Sequence, residues 1–509
     1  MSLKLNVAAN YGSQIYTTLI GIILVPLYLQ RMGPESFGLV GFFSMLQAWF
    51  SILDLGLTPT IARESARYFG GALPPQDYRR LCGVLSTIFA AVALVGGGLL
   101  VAIAPVVASD WLHLNNLPTS DVVFSLQIMG LTVAMRWMGG LYRGIVSGAE
   151  RLTWLSSFNA LIATLRFAAV FVSMGVWGYT PMVFFMHQLV VAALELGMLY
   201  LKSARLLPRL KYPEQSNSSS FSMLAPLLKF SLTIAFTSSV WVFVTQSDKL
   251  VLSGILPLSE YGLFTLAVMV SGGITIVTGP VSTVLLPRLA RLYAEGNHDE
   301  IIRLYNVFAQ LVGVISISLA TTFVCGAESL LFAWTGDQYV SSAAAPVVRL
   351  YAVGNGMLAL GAFPFYLQYA RGNLRYHLIG NVVLTVLLIP SIMLAAFLAG
   401  GEGAGWVWVG MNIIYLFGWV AYIHGKLEPG LHVKWLCRNV LAILLPTALM
   451  GILLSTYFDV APVSRWQAVV HISFVFFACA ITAFLASSDG RNRLLRCRLS
   501  VRKDREKSA

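Results

Sequence analysis

Run after run of roughly twenty apolar residues fills this chain, and that pattern leaves the backbone one way to fold. A helix of about that length matches a hydrocarbon core of ~30 Å and satisfies its own N–H and C=O groups where water is excluded. A transmembrane barrel would show short alternating segments instead. Hydrophobic residues make up 57% of the chain and charged residues 11%. Soluble domains carry about 25% charged residues, so an ordinary wet surface is excluded.

We read fourteen spans, giving an all-α polytopic membrane protein. The first half holds 8–30, 36–60, 81–108, 120–142, 153–176 and 181–201. The second holds 226–247, 258–286, 303–333, 343–367, 376–399 and 404–424, and two further spans follow at 438–457 and 466–486. With the N-terminus inside, inner loops, tails and adjoining span ends hold 28 of the 34 Lys and Arg residues. The outer loops hold only Arg31, Lys249 and Arg465. Basic residues gather on the cytoplasmic side, so both termini are expected there. The net charge of +12 is then a topology signal and not a nucleic-acid footprint.

The expected domains are a six-helix lobe at 1–205, a cytoplasmic linker at 206–225, a second six-helix lobe at 226–425, two additional helices at 426–486 and a basic tail at 487–509. The linker is basic and then Ser-rich. No soluble domain of useful size interrupts the spans, and no cleavable signal peptide is expected. Cys82, Cys325, Cys437, Cys479 and Cys497 lack CxxC spacing, so neither a disulfide framework, a metal site nor a cofactor is expected. The tail, with Arg491, Arg493, Arg496, Arg498, Arg502, Lys503, Arg505 and Lys507, reads as an anchor on anionic membrane lipid or as a partner site.

The two halves repeat one another. Gln47, Ser51, Asp54 and Thr58 recur at the spacing of one helix face, and an offset of 224 gives Ser271, Thr275, Thr278 and Ser282. The same offset relates Phe37-Gly38 to Tyr261-Gly262 and Ala66-Arg67 to Ala290-Arg291. Span one carries Asn10, Gln14, Thr17 and Gly21 at the same spacing. Polar stripes at membrane depth are helix–helix glue or the wall of a hydrated cavity. Two homologous lobes with such stripes suggest a transport path between them.

Ionisable side chains within spans mark pathways, relays or internal pairs. Arg166 and Glu195 fall at comparable depth, as a structural pair or with Arg166 facing a cavity. Arg136 either snorkels or lines the lumen. Arg349 enters span ten from the outer side. Guanidinium groups of this kind suit a phosphorylated head group. Asp54 is the better acidic candidate for ion coupling, against a local pair with an inner-loop arginine. Asp248 beside Lys249 reads as an interfacial ion pair.

The phrases Val25-Pro26-Leu27-Tyr28-Leu29, Gly33, Phe37-Gly38 and Leu53-Asp54-Leu55-Gly56-Leu57 resemble the polysaccharide-transporter branch of the MOP flippase superfamily. Ser247-Asp248-Lys249, Tyr261-Gly262 and Pro287 resemble the equivalent stretch of its second half. The resemblance, over about residues 1–425, implies two six-helix lobes around a central cation-lined cavity of alternating access. An enzyme such as a polysaccharide polymerase or ligase is not expected, because the residues offer no nucleophile–base or metal constellation and no sizeable outer loop. The resemblance implies a flippase for undecaprenyl-pyrophosphate-linked oligosaccharide in the bacterial inner membrane, serving O-antigen, capsule or exopolysaccharide synthesis. On it, Arg136, Arg166, Arg349, Gln47, Gln14 and Thr275 would meet substrate, and Asp54 and Glu195 would couple protons or Na+. Polysaccharide polymerases and glycosyltransferases are the expected protein partners. The two extra C-terminal spans resemble the fourteen-span lipid II flippases of the superfamily, one alternative. A MATE-type cation-coupled drug antiporter is another.

Overall fold

The computed structural model describes residues 3–208, 236, 239–457 and 464–491, with side chains from residue 9. Among the described residues eleven helices are long and apolar enough to cross a membrane. Two far exceed one crossing: Ala9–Asp54 has 46 residues and Arg375–Leu427 has 53. Their backbones turn non-helical at Gly33 (φ 80°) and at Ala399–Gly400, where the sequence separates spans one from two and eleven from twelve. Span seven and the 206–225 linker lie largely outside the described residues, apart from a helix over 239–253.

The chain divides into two compact units, Met1–Gly262 and Leu263–Ala509. The first holds α1 (Leu3–Phe50), α2 (Leu57–Phe69), α3 (Pro75–Val106), α4 (Thr119–Gly148), α5 (Leu152–Ala163), α6 (Val170–Trp177), α7 (Pro181–Ala204) and α8 (239–253). Helix α9 (Leu258–Ser271) starts in it. Span two is not one helix to residue 60, as its polar spacing suggested. A 3-10 turn at Ser51–Asp54 ends α1, Leu55 and Gly56 turn left-handed, and α2 starts afresh. Thr58 therefore leaves the face that carries Gln47.

Helix α2 lies against α4 because α4 presents a glycine ridge. A Cβ on Gly140, Gly144 or Gly148 would come within 2.9 Å of Thr58 Oγ1, 2.5 Å of Ile61 Cγ2 and 2.2 Å of the Ala62 carbonyl oxygen, respectively. Small residues one turn apart let two backbones touch where lipid supplies no hydrophobic drive. Around this seam Ile61, Tyr78, Leu85, Phe89, Leu141 and Leu199 form a buried core. Glu35 accepts the backbone N–H groups of Asn115, Asn116 and Leu117, and Trp111 donates to Ser253 Oγ.

The second unit continues with α10 (Gly273–Thr278), α11 (Pro280–Ala294), α12 (His298–Cys325), α13 (Ala327–Thr335), α14 (Gln338–Gly361), α15 (Phe363–Ala370), α16 (Arg375–Ile413), α17 (Val420–Leu427), α18 (Leu431–Trp435), α19 (Ala442–Tyr457) and α20 (Arg465–Ala486). Span eight runs as one crossing over Leu258–Ala294, with helical backbone carried through Gly272 and Gly279 and into Pro280. Span nine stops at Cys325, with Gly326 separating α12 from α13. The last two helices are tied to α12 by buried amides. Gln310 donates to Asn439 and Ser488, and Asn439 donates to Asn306. Leu285, Leu289, Tyr305, Phe363, Val420 and Trp435 fill the core beside them.

Candidate functional site

The densest polar construction within the first unit is built around a distortion in span five. Between α5 and α6, Thr164–Ala168 forms a π turn with Arg166 inside it. A π turn admits an extra residue and disturbs the regular i→i−4 pairing, and three successive carbonyls here bind side chains from other helices. His187 Nε2–H donates to Leu165 O at 2.8 Å, Gln188 Nε2 donates to Arg166 O at 2.9 Å, and Tyr28 O–H donates to Phe167 O at 2.5 Å. On its other edge His187 Nδ1 lies 2.8 Å from Ser173 Oγ. Where no water competes, such bonds pin the bulge in place.

Beside it, α4 and α7 exchange two rungs. Arg136 Nη2 donates to Gln188 Oε1 at 2.7 Å, and Arg143 Nη2 forms an ion pair with Glu195 Oε1. Each rung joins residues 52 apart, and the rungs are one heptad apart on both helices. Arg136 Nη1 also donates to Gln47 Oε1 at 2.9 Å, and its guanidinium lies 5.2 Å from the Phe43 ring centre. Arg143 reaches Asn159 as well. Gln188 and Glu195 are both buried, at 3% and 5% exposure.

The Arg166–Glu195 pair is therefore corrected: Glu195 belongs to Arg143. Comparable depth does not decide the partner: Glu195 ends beside Arg143 on α4, and Arg166 sits in the π turn of the neighbouring helix. Arg166 instead lies over the Phe167 ring, 5.5 Å from its centre. Arg136 turns its guanidinium to α1 and α7, not out to the helix end, so snorkelling does not describe it. Among the described residues neither Arg136 nor Arg166 forms an ion pair, although Glu195 and Arg143 are near enough to act on both through their fields.

Other sequence candidates are placed apart from this group. Asp54 has Thr58, not an arginine, as its partner: its carboxylate accepts Thr58 Oγ1–H at 2.5 Å and Thr58 N–H at 3.2 Å, which caps the start of α2. Arg349 pairs with Glu328 at 3.0 Å. Thr275 and Ser271 turn their hydroxyls back to carbonyls of their own helix, and Ser271 also reaches Val348 O. Gln14 is on an exposed face. Asp248 pairs with Lys249 at 3.6 Å. Sequence reading missed Arg143, Gln188 and His187. The signal was there in the equal spacing of Arg136/Arg143 and Gln188/Glu195, one heptad on each helix.

The family described as "Polysaccharide biosynthesis protein" matches residues 3–293. A Shigella flexneri protein named "Putative O-antigen transporter" is 19% identical over 410 residues, covering 79% of this chain and 92% of that one. The Bacillus subtilis "Uncharacterized membrane protein EpsK" is 20% identical over 419 residues, covering 80% of this chain and 78% of its own. Among solved structures, the lipid II flippase MurJ in an inward closed conformation superposes with a TM-score of 0.70 at 12% identity, over 94% of this chain and 98% of MurJ. An inward-facing multidrug resistance MATE transporter of the MOP superfamily gives 0.66 at 13% identity, over 85% and 99%. The fold is that of the MurJ and MATE proteins.

Proposed function

The chain belongs to the polysaccharide biosynthesis protein family, and from that premise we propose that it is a flippase for undecaprenyl-pyrophosphate-linked oligosaccharide. It is a multi-pass membrane transporter of MOP type with bacterial homologues. The observation that carries the finer reading is the pair Arg136 and Arg166. Two guanidinium groups held among apolar helices, neither in an ion pair among the described residues, raise the local affinity for an anion. Planar, multi-donor groups suit a diphosphate, and an alternating-access path would carry the sugar while the polyprenyl tail stays in lipid. Gln47 holds Arg136 in this reading, and Gln14, Thr275 and Arg349 are the further candidates for contact with substrate. Asp54 and Glu195 are the groups for proton or Na+ coupling. The inner membrane is the site, with glycosyltransferases and a polymerase before and after this step.

The test is reconstitution into vesicles with a fluorescent undecaprenyl-pyrophosphate oligosaccharide on the inner leaflet and a quencher outside. Exposure to the quencher should rise over protein-free vesicles, and an equal rate in both would sink the reading. A second reading, lipid II as cargo, is favoured by the likeness to MurJ over 94% of the chain together with the two C-terminal helices bound to α12. The same assay with labelled lipid II separates the two. A drug antiporter has less support, because the family match is to polysaccharide biosynthesis proteins.

A further inference from the structure

The two rungs between α4 and α7 share a spacing and a register but differ in one functional group. Arg143 faces a carboxylate on Glu195, while Arg136 faces an amide on Gln188. A carboxylate so placed cancels its arginine, and the pair then presents little charge to a third group. An amide oxygen orients the guanidinium and leaves the charge intact.

Gln188 also does what a carboxylate has no hydrogen for. Its Nε2–H donates to the carbonyl of Arg166 at 2.9 Å, one of the three π-turn carbonyls that bind side chains of other helices. One buried amide thus holds two arginines at once, Arg136 by its side chain and Arg166 by its backbone. Gln47 Oε1, the other acceptor on Arg136, is neutral as well. Phe43 beneath Arg136 and Phe167 beneath Arg166 add apolar support without cancelling charge.

We infer that Gln188 is a positioning residue that sets the anion specificity of this transporter, holding Arg136 and Arg166 as an uncompensated pair for a diphosphate head group. Arg143 and Glu195 are the self-neutralised counterpart that braces the same helices. This rests on the flippase reading.

The experiment measures binding of undecaprenyl pyrophosphate and of uncharged undecaprenol to the full-length protein in nanodiscs. Wild type is compared with Gln188→Glu and with the exchange Gln188→Glu/Glu195→Gln, which keeps the total charge. Wild type should prefer the diphosphate. Both variants should weaken diphosphate binding by about tenfold or more, the worth of one hydrogen bond to a charged group, with undecaprenol binding unchanged. Parallel loss of both ligands would show a folding defect in place of a charge effect and overturn the assignment. Unchanged diphosphate binding in the exchanged protein would also overturn it, because total charge alone would then govern. If wild type itself does not distinguish the two lipids, the flippase reading falls and this inference with it.

Discussion

Gly38 and Gly262, equivalent positions of the 224-residue repeat, each lie against the backbone of the other's helix. A Cβ on Gly38 would stand 2.2 Å from the Leu258 carbonyl oxygen, and one on Gly262 would stand 2.3 Å from the Pro34 carbonyl oxygen. Pro34 and Leu258 are themselves repeat equivalents, so the contact is reciprocal about a local pseudo-twofold axis. Only glycine permits so close a crossing, and the repeat supplies it twice.

That crossing makes matched variants informative. Gly38→Ala and Gly262→Ala should each destabilise the protein by about 1–3 kcal/mol, since backbone must move to admit the methyl group. Thermal unfolding of the purified protein in detergent would read both, and the two losses should be similar. A neutral result for either would show that the helices do not touch there.

Glu195 should couple to Arg143 and not to Arg166. In double-mutant cycles with alanine, Arg143/Glu195 should show an interaction of roughly 0.5–3 kcal/mol, while Arg166/Glu195 should be close to additive. Unfolding midpoints of the six proteins needed for both cycles decide between the two pairings. Strong coupling of Arg166 with Glu195 would restore the pairing that their comparable depth suggests.

Asp54 separates a cap from a coupling role. Asp54→Ala removes the acceptor for Thr58 and should cost about 1 kcal/mol, with faster hydrogen exchange over Leu57–Phe69. Asp54→Asn keeps an oxygen acceptor and should preserve that protection. If transport by the Asn variant retains its dependence on proton or Na+ gradients, Asp54 is a cap only.

The C-terminal helices should depend on Asn439. Asn439→Ala takes one acceptor from Gln310, which keeps Ser488, and the donor from Asn306 Oδ1, at a cost of about 1–3 kcal/mol. Limited proteolysis should then release the region after Leu441 before the rest of the second unit is cut. Simultaneous digestion of both would argue against this attachment.

Much of the fold is legible in the residues because hydropathy acts locally. The runs of apolar residues mark helices, and Gly33 and Gly400 mark breaks between spans, since a left-handed backbone without Cβ strain favours glycine. The site is less legible. A polar stripe read at helical spacing assumes an unbroken helix, and Ser51–Gly56 breaks the one that carried Asp54. The π turn at Thr164–Ala168, whose carbonyls take His187, Gln188 and Tyr28, was likewise not readable from spacing. Neither distortion has a local signature as strong as a proline in mid-helix.

What the sequence determined by itself was the solvent this chain folds in, its helical class, its internal repeat and which side chains carry charge at membrane depth. Those follow from transfer free energies and from the backbone's need to satisfy itself in lipid, both properties of short segments. Which charge meets which partner was decided only by tertiary structure. Arg143, Arg136 and Arg166 are chemically alike in the chain. They differ because Glu195, Gln188 and a distorted turn reach them from other helices, and at low dielectric the identity of the nearest neighbour outweighs everything encoded along the chain.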